Sequence, residues 1–284
     1  MTQLDQHTGA AESPEVVDER RRRLSSARRE RLRAIGAVAG TIALIVIIWE
    51  ILTAGLGLYP VIMRSPQQIW AVFAADPLLL LTNAWTTCYE ILIGFAIAAV
   101  LGVALAIVIV SSKLLQMTIY PLLLVLQIVP KVALAPLLIV FLGFGILPKI
   151  VIAVLLAFFP ILVNTAVGLR SADREIIELV RVLNGSRWQE FFRVRLPNAL
   201  PFAFGGLKIG MTLAVIGAII GEFVGANKGL GFILIQANTQ LNTDLAYAAL
   251  IIVSLIGLVL YGIVTWLEHL LLPWAREQKE QVGS

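Results

Sequence analysis

The sequence predicts an all-α integral membrane protein with six transmembrane helices and a helix-turn-helix segment at the cytoplasmic face. Of its 284 residues, 59% are hydrophobic and only 14% are charged, whereas a soluble domain carries roughly 25% charged residues. The apolar residues are gathered into runs of about 20, the length that a helix needs to cross a bilayer. Arginines cluster beside particular runs. These observations exclude a water-soluble globular domain.

Six apolar runs are candidate spans, because in lipid a helix satisfies its own backbone polar groups. They cover residues 34–53, 85–110, 114–142, 149–169, 199–223 and 246–272. The third run is longer than one span and contains Pro121, Pro130 and Pro136. Because proline removes a helix hydrogen bond and clashes with the preceding turn, these prolines predict a kinked or broken span.

The distribution of basic residues predicts that both termini lie in the cytoplasm. Eight arginines lie between Arg20 and Arg33, before the first span, and six more lie in 170–197, between the fourth and fifth spans. The two long segments that this count places outside contain one basic residue each, Arg64 and Lys228. Both ends of an even number of spans then face the same side.

The predicted organisation has four parts. They are an Arg-rich, largely disordered cytoplasmic tail (1–33), the first transmembrane helix with an external loop (34–84), a transmembrane core (85–272) and a second cytoplasmic tail (273–284). The net charge of +4 comes mainly from the arginines beside the first span. A charge block at that place indicates membrane orientation and contact with lipid, and we expect no nucleic-acid partner.

Several kinds of chemistry have no motif in this chain. It holds one cysteine and two distant histidines, so neither an internal disulfide nor a zinc site of its own is expected. The phosphate-loop pattern GxxxxGK[ST] is missing, as are HExxH and GxSxG. We therefore expect no catalytic residue, metal or cofactor in this chain, and ATP hydrolysis would need another subunit.

The stretch between the fourth and fifth spans, residues 171–201, is too long for a simple connector. It reads SADREIIELVRVLNGSRWQEFFRVRLPNALP. In its first half, polar and apolar residues separate onto two helical faces, the polar one carrying Arg174, Glu178 and Arg181 and the apolar one carrying Ile176, Leu179, Val180 and Leu183. The separation predicts an amphipathic helix, with Ser171 or Asp173 as its N-cap.

The second half of the stretch predicts a turn and another short helix. Asn184-Gly185 supplies the left-handed residues that end a helix, and Ser186 with Gln189 forms a capping box for a helix over 188–195. Leu196-Pro197 is expected to end that helix. The residues alone leave two uses open: an amphipathic pair resting on lipid headgroups, or a docking site for a protein.

This stretch resembles the "EAA" loop of the inner-membrane permeases of binding-protein-dependent ABC importers. The family pattern is Glu-Ala-Ala, three residues, Gly, nine residues, Ile-x-Leu-Pro. Here the matching positions are Glu178, Leu179, Val180, Asn184, Val194, Leu196 and Pro197. Two departures stand out: Leu179-Val180 replaces the small pair, and Asn184 takes the glycine position. Asparagine tolerates the left-handed conformation, so the turn is expected to form.

The resemblance extends over about 85–268. GFAIAAVLGVALAI, APLLIVFLGFG and GEFVGANKGLG are similar to the nitrate, sulfonate and taurine branch, although Glu90 stands where many members carry an arginine. Membership implies the type I importer permease fold and a bacterial inner-membrane location. It also implies a coupling loop, 171–197, that docks on an ATPase subunit. Its contact residues would be Glu178, Leu179, Val180, Asn184, Gly185, Leu196 and Pro197.

The resemblance further implies the partners and the activity. The partners are two ATPase subunits that hold ATP and Mg, an extracytoplasmic substrate-binding protein and a second permease subunit. We expect the two permease subunits to be copies of this chain that form a homodimer. The solute would be a small anion of the nitrate, sulfonate or taurine type. A pyrimidine precursor, riboflavin or an aromatic carboxylate is the alternative within the same machinery. Outside this class, an ion-coupled secondary transporter or a membrane scaffold stays open.

Three ionisable residues at membrane depth are candidates for the translocation pathway, because such groups are costly in lipid and face protein or water. Lys131 follows Pro130 in the broken third span and is the first candidate, with an ion pair inside the bundle as the alternative. Glu90 lies in the second span. Glu222 lies near the outer end of the fifth, where a contact with headgroups or a binding protein is the alternative.

Five glycines are spaced along the fifth span in small-xxx-small steps: Gly206, Gly210, Gly217, Gly221 and Gly225. Such steps allow two helices to approach closely. They predict either packing within one subunit or a helix that lines the seam between two permease copies.

Overall fold

The computed structural model describes residues 33, 36, 37, 40, 41, 43–55 and 64–274. The chain divides into two units, Met1–Pro66 and Gln67–Ser284. In the first unit the described residues form an apolar helix, α1 (Ala43–Thr53). The predicted first span extends beyond the described residues, and the two predicted tails lie almost entirely outside them.

The second unit is built from helices joined by short turns. In chain order they are α2 (Pro66–Ala75, which starts at the unit boundary), α3 (Pro77–Ser111), α4 (Lys113–Ile128), α5 (Ala135–Leu142), α6 (Ile146–Arg170), α7 (Arg174–Val182), α8 (Arg187–Glu190), α9 (Leu196–Gly225), α10 (Leu230–Thr239) and α11 (Thr243–Leu271). A 3-10 turn, Lys131–Leu134, precedes α5, and a π turn, Phe191–Arg195, joins α8 to α9.

Four helices of the described part are long and apolar enough to cross a membrane: α3, α6, the continuous α8–α9 helix and α11. The segment Lys113–Ile128 and the segment Lys131–Leu142 meet at a 78° bend and give a fifth span when counted together. The predicted break in the third span is therefore confirmed. It occurs at Pro130, whereas Pro121 lies inside α4 and Pro136 sits in the first turn of α5.

One boundary of the prediction was wrong. The second span begins at Pro77, in what was predicted to be external loop, and not at residue 85. The Asp76 carboxylate accepts a hydrogen bond from Leu79 N at 3.0 Å, and proline at the first helical position needs no N–H partner. Because of this cap, the helix begins before the apolar run from which the span was predicted. The predicted external segment 224–245 also contains a helix, α10.

The core of the second unit lies between α3, α6, α9 and α11. Its fully buried members are largely alanines, among them Ala98, Ala157, Ala214 and Ala218. Small side chains let helix backbones approach closely, which matters in lipid because helix association there relies on close packing. Large apolar residues such as Val100 on α3 point outward and are 69% exposed, as expected for a surface that faces lipid.

Candidate functional site

Residues 171–197, called the elbow here, leave the end of α6 and return at the start of α9. The Asp173 carboxylate accepts a hydrogen bond from Glu175 N at 2.9 Å and caps α7, which decides between the two predicted N-caps. Ser171 instead donates its hydroxyl to Gly168 O at 3.0 Å. The elbow thus begins as a capped helix immediately after the membrane-spanning one.

Of the two residues predicted to be left-handed in the turn after α7, Asn184 is left-handed and Gly185 is not. Asn184 has φ +56° and donates its N–H to Arg181 O at 3.0 Å, while Gly185 N donates to Val180 O at 2.8 Å. These two bonds satisfy helix carbonyls that would otherwise lack partners. A Cβ at Gly185 would lie 2.5 Å from Val180 Cγ1. Asparagine therefore takes the left-handed position, and the residue after it has no room for a side chain.

The predicted capping box at the start of α8 is confirmed, and the predicted end of that helix is wrong. Ser186 N donates to Gln189 Oε1 at 2.7 Å, and Gln189 N donates to Ser186 Oγ at 3.3 Å. The helix then continues into α9 and does not stop at Leu196-Pro197. The π turn ends with a bond from Leu196 N to Phe191 O. Pro197 then falls in the first turn of α9, where proline is tolerated.

Glu190 anchors the elbow and was missed by the sequence interpretation. Its carboxylate lies 2.7 Å from Arg195 Nη2 and 3.2 Å from Arg181 Nη2. Arg195 also donates to Leu169 O, in the last turn of α6, at 3.4 Å. Partial burial opposes the charged form of Glu190, but the guanidinium groups of Arg195 and Arg181 outweigh it and lower the pKa of this carboxyl. The carboxylate therefore ties both halves of the elbow together.

The elbow presents an apolar surface that no other part of the described chain covers. Its members are Ile176, Leu179, Val182, Leu183, Trp188 and Phe192, which are between 48% and 78% exposed. The rings of Trp188 and Phe192 stack with centroids 5.6 Å apart. Of the predicted coupling residues, Glu178, Leu179 and Asn184 are exposed, and Val180, Gly185, Leu196 and Pro197 are half-buried. The anchored elbow therefore holds an apolar surface in a fixed position.

At the opposite ends of α6 and α9 lies a second polar group, called the buried polar cluster here. It consists of Asn83, Thr87 and Glu90 from α3, Lys149 from α6 and Glu222 from α9. Lys149 Nζ lies 2.7 Å from Glu90 Oε1, and Thr87 Oγ1 lies 2.7 Å from Glu222 Oε1. The predicted residues Glu90 and Glu222 thus come together, with neither carboxylate facing an open surface of this chain.

Asn83, Thr87 and Lys149 are members that were not predicted, and Lys149 stands at the predicted start of the fourth span. Lys131, the first pathway candidate, is not part of this cluster. Its Nζ donates to Gln127 O at 2.8 Å and sits 4.5 Å from the centre of the Phe159 ring. It lies at the break between α4 and α5, as predicted, and there contacts an aromatic face.

The five predicted glycines of α9 all face other helices of the same chain. A Cβ built on Gly210, Gly217 or Gly221 would lie 2.6–2.7 Å from an atom of α6. At Gly206 the nearest atoms also belong to α6, at 2.9 Å, and at Gly225 the nearest atom belongs to Ile139 of α5. These glycines therefore allow α9 to lie directly against α6.

Comparison with known proteins identifies the architecture. Residues 91–272 match the family described as binding-protein-dependent transport system inner membrane component. The chain belongs to this family. It is accordingly a multi-pass inner-membrane permease subunit of an ABC importer, and its role is transport and not catalysis.

Individual relatives agree with this assignment. The permease is 37% identical to the formylaminopyrimidine transport permease protein ThiX of Halalkalibacterium halodurans over 83% of this chain and 94% of the relative. It is 32% identical to the putative aliphatic sulfonates transport permease protein SsuC of Bacillus subtilis, over 82% and 85%. A structure of the MetNI methionine ABC transporter in inward-facing conformations matches 71% of this permease and 99% of its own chain, with a TM-score of 0.52 and 22% identity. The fold is that of the type I importer permeases.

Proposed function

We propose that this permease forms half of a translocation pathway that ATP hydrolysis on partner subunits drives, with the elbow as the docking site for one of two ATPase subunits. The observation that carries the proposal is the elbow's apolar surface. Six apolar side chains of the elbow are exposed. The ion pairs of Glu190 with Arg181 and Arg195 hold this segment in position. A lipid-resting segment needs no such anchoring, whereas a docking surface that transmits force does.

The connection of the elbow to the spans indicates how force would be transmitted. The helix Arg187–Gly225 runs without interruption from the elbow across the membrane, and Glu190 links the elbow to the last turn of α6 through Arg195. In the proposed cycle, Mg-ATP closes the ATPase dimer and displaces the two docked elbows. Because α6 and α9 are in backbone contact, we expect them to move as one body and to alternate the access of the pathway.

The rest of the proposed assembly follows from the charge distribution and the family. Arginines beside the first span and in the elbow support a cytoplasmic location for both termini. We propose that a second copy of this chain completes the pathway and that an extracytoplasmic binding protein delivers the solute. ATP and Mg belong to the ATPase subunits. The pathway roles of Lys131, Glu90 and Glu222 stay predictions, and for the two glutamates they would require the buried polar cluster to open.

The proposed solute is a small anion of the nitrate, sulfonate or taurine type, and the similarity to SsuC, named for aliphatic sulfonates, supports it. A pyrimidine precursor is a second candidate, because the identity to ThiX is higher, at 37% against 32%. Glu90 does not decide between them. Its side chain is fully buried and paired with Lys149, so it presents no charge to a passing solute.

Copurification tests the assembly. The permease is expressed with the ATPase and the binding protein of its own importer, and the tagged ATPase is isolated in lipid nanodiscs and weighed by native mass spectrometry. We expect two permease copies and two ATPase copies. ATP hydrolysis is then measured with the binding protein and either taurine or an aminopyrimidine, and the solute that stimulates it assigns the class. A tagged ATPase recovered without the permease would overturn the proposal.

A further inference from the structure

The buried polar cluster has no role in the proposed coupling, because it lies at the ends of α6 and α9 that are farthest from the elbow. Lys149 is in the first turn of α6, whereas the elbow follows the last turn. Glu222 is in the last turn of α9, whereas the elbow precedes the first. The cluster therefore sits at the outer side of the bundle, beside the α9–α10 connection.

Three consecutive backbone amides of that connection donate into the cluster. Gly229 N donates to Asn83 Oδ1 at 2.6 Å, and Leu230 N donates to Thr87 Oγ1 at 2.8 Å. Gly231 N donates to Glu222 Oε2 at 2.5 Å. Gly229 has φ +115°, and a side chain there would collide with the Glu222 carboxyl group. The connection is thus fixed to α3 and α9 by its own backbone.

The hydrogen bonds of Thr87 indicate where a proton resides. A hydroxyl has one hydrogen to donate and two lone pairs, and Leu230 N already donates to one of these. The two other neighbours of Thr87 Oγ1 are Asn83 O at 3.1 Å and Glu222 Oε1 at 2.7 Å. If Glu222 were ionised, both would be acceptors competing for one hydrogen. If Glu222 carries a proton on Oε1, it donates to Thr87, Thr87 donates to Asn83 O, and all three contacts are satisfied.

The charge balance of the cluster leads to the same conclusion. Two carboxyl groups face one ammonium group, and Glu90 and Glu222 are 0% and 1% exposed. Lys149 pairs with Glu90 Oε1, and no atom of the described residues hydrogen-bonds Glu90 Oε2. A second carboxylate would leave an uncompensated buried charge, which is strongly unfavourable. One proton on Glu222 makes the cluster neutral.

We propose that Glu222 is a protonated carboxylic acid that donates to Thr87, and that with the Glu90–Lys149 pair beside it this acid latches the α9–α10 connection to the outer ends of α3 and α9. Glu222 is then a positioning residue for the outer side of the permease. A neutral latch can open and close during transport without moving a net charge through the protein. The chemistry also specifies the replacement that Glu222 tolerates: a neutral side chain with one donor and one acceptor.

The same substitution at the two glutamates separates their roles. Gln at 222 can donate its amide N–H₂ to Thr87 and accept from Gly231 N, so E222Q is expected to keep the thermal midpoint of wild type and its amide exchange rates at residues 229–231 within about twofold. E90Q removes the partner of Lys149 and is expected to lower the thermal midpoint. E222A removes the latch, and exchange at the amides of residues 229–231 is expected to become about tenfold faster.

Infrared spectroscopy of the purified permease supplies a readout that packing alone does not change. The C=O stretching band of a protonated carboxyl group is expected in wild type and absent in E222Q. Loss of stability and faster exchange in E222Q, equal to those of E222A, would overturn the proposal. So would a carboxyl band unchanged by E222Q. If E90Q does not fold, the comparison of wild type with E222Q still tests the protonation of Glu222. The infrared band and the amide exchange rates are both measured on the permease without an ATPase partner.

Discussion

Reversing the charge at Glu178 is expected to abolish ATP-driven uptake while the permease stays folded in the membrane. Glu178 is exposed on the polar face of α7, next in the chain to the exposed apolar side chain of Leu179. An exposed substitution away from caps and ion pairs changes stability by about 0.5 kcal/mol or less. At the centre of a docking surface, the same change is expected to cost about 2 kcal/mol or more in binding.

Glu175→Arg is the matched control, because Glu175 is exposed on the same helix and lies outside the "EAA" pattern. Uptake and ATPase copurification are measured for both variants at equal amounts of permease in the membrane. We expect E178R to lose both and E175R to keep most of both. Equal behaviour of the two variants would show that α7 contributes only general electrostatics, and the docking assignment of Glu178 would be wrong.

Gly217→Ala is expected to destabilise the transmembrane core more than any other single methyl group added to α9. Its Cβ would lie 2.6 Å from Ala153 Cα and 3.0 Å from Ala153 N. Both are backbone atoms of α6, so no flexible side chain can move aside. Overpacking of this kind costs about 1–3 kcal/mol and occasionally more. The measurement is the thermal unfolding midpoint of the purified permease in detergent.

Gly205→Ala adds the same methyl group three turns earlier on the same helix, where no described atom beyond the adjoining turns of the helix backbone lies within 4 Å of the new Cβ. Because alanine is favoured over glycine in a helix by about 1 kcal/mol, this variant is expected to be as stable as wild type or slightly more stable. If both substitutions lowered the thermal unfolding midpoint equally, the loss would be a general effect of replacing glycine. The close approach of α9 to α6 would then not explain the loss of stability in G217A.

Much of the fold was predictable because hydropathy and caps act locally. Four of the six predicted spans match helices, and the broken third span was predicted from its prolines, although three prolines did not indicate which one breaks the helix. The boundary at Pro77 was missed because Asp76 caps a helix that begins before the apolar run. The first span cannot be judged as a whole, since only part of it is among the described residues.

The elbow and the buried polar cluster differ in how much of each could be predicted from the sequence. The turn at Asn184 and the capping box at Ser186 are made by residues close in the chain, and both were predicted. Glu190 was missed because its partner Arg195 lies five residues further along the chain. The two side chains come together here because Phe191–Arg195 forms a π turn. The buried polar cluster joins residues as far apart as Asn83 and Glu222, and no spacing rule connects them.

The central claim, that ATP bound by a docked subunit powers this permease, is tested most directly in proteoliposomes. The complex of permease and ATPase is reconstituted with ATP inside, and uptake of the solute from its binding protein is measured with and without a proton or sodium gradient. We predict uptake that requires ATP, is unaffected by collapse of the gradient, and is lost in E178R. Uptake that persists without ATP and follows the ion gradient would contradict the account and favour an ion-coupled transporter.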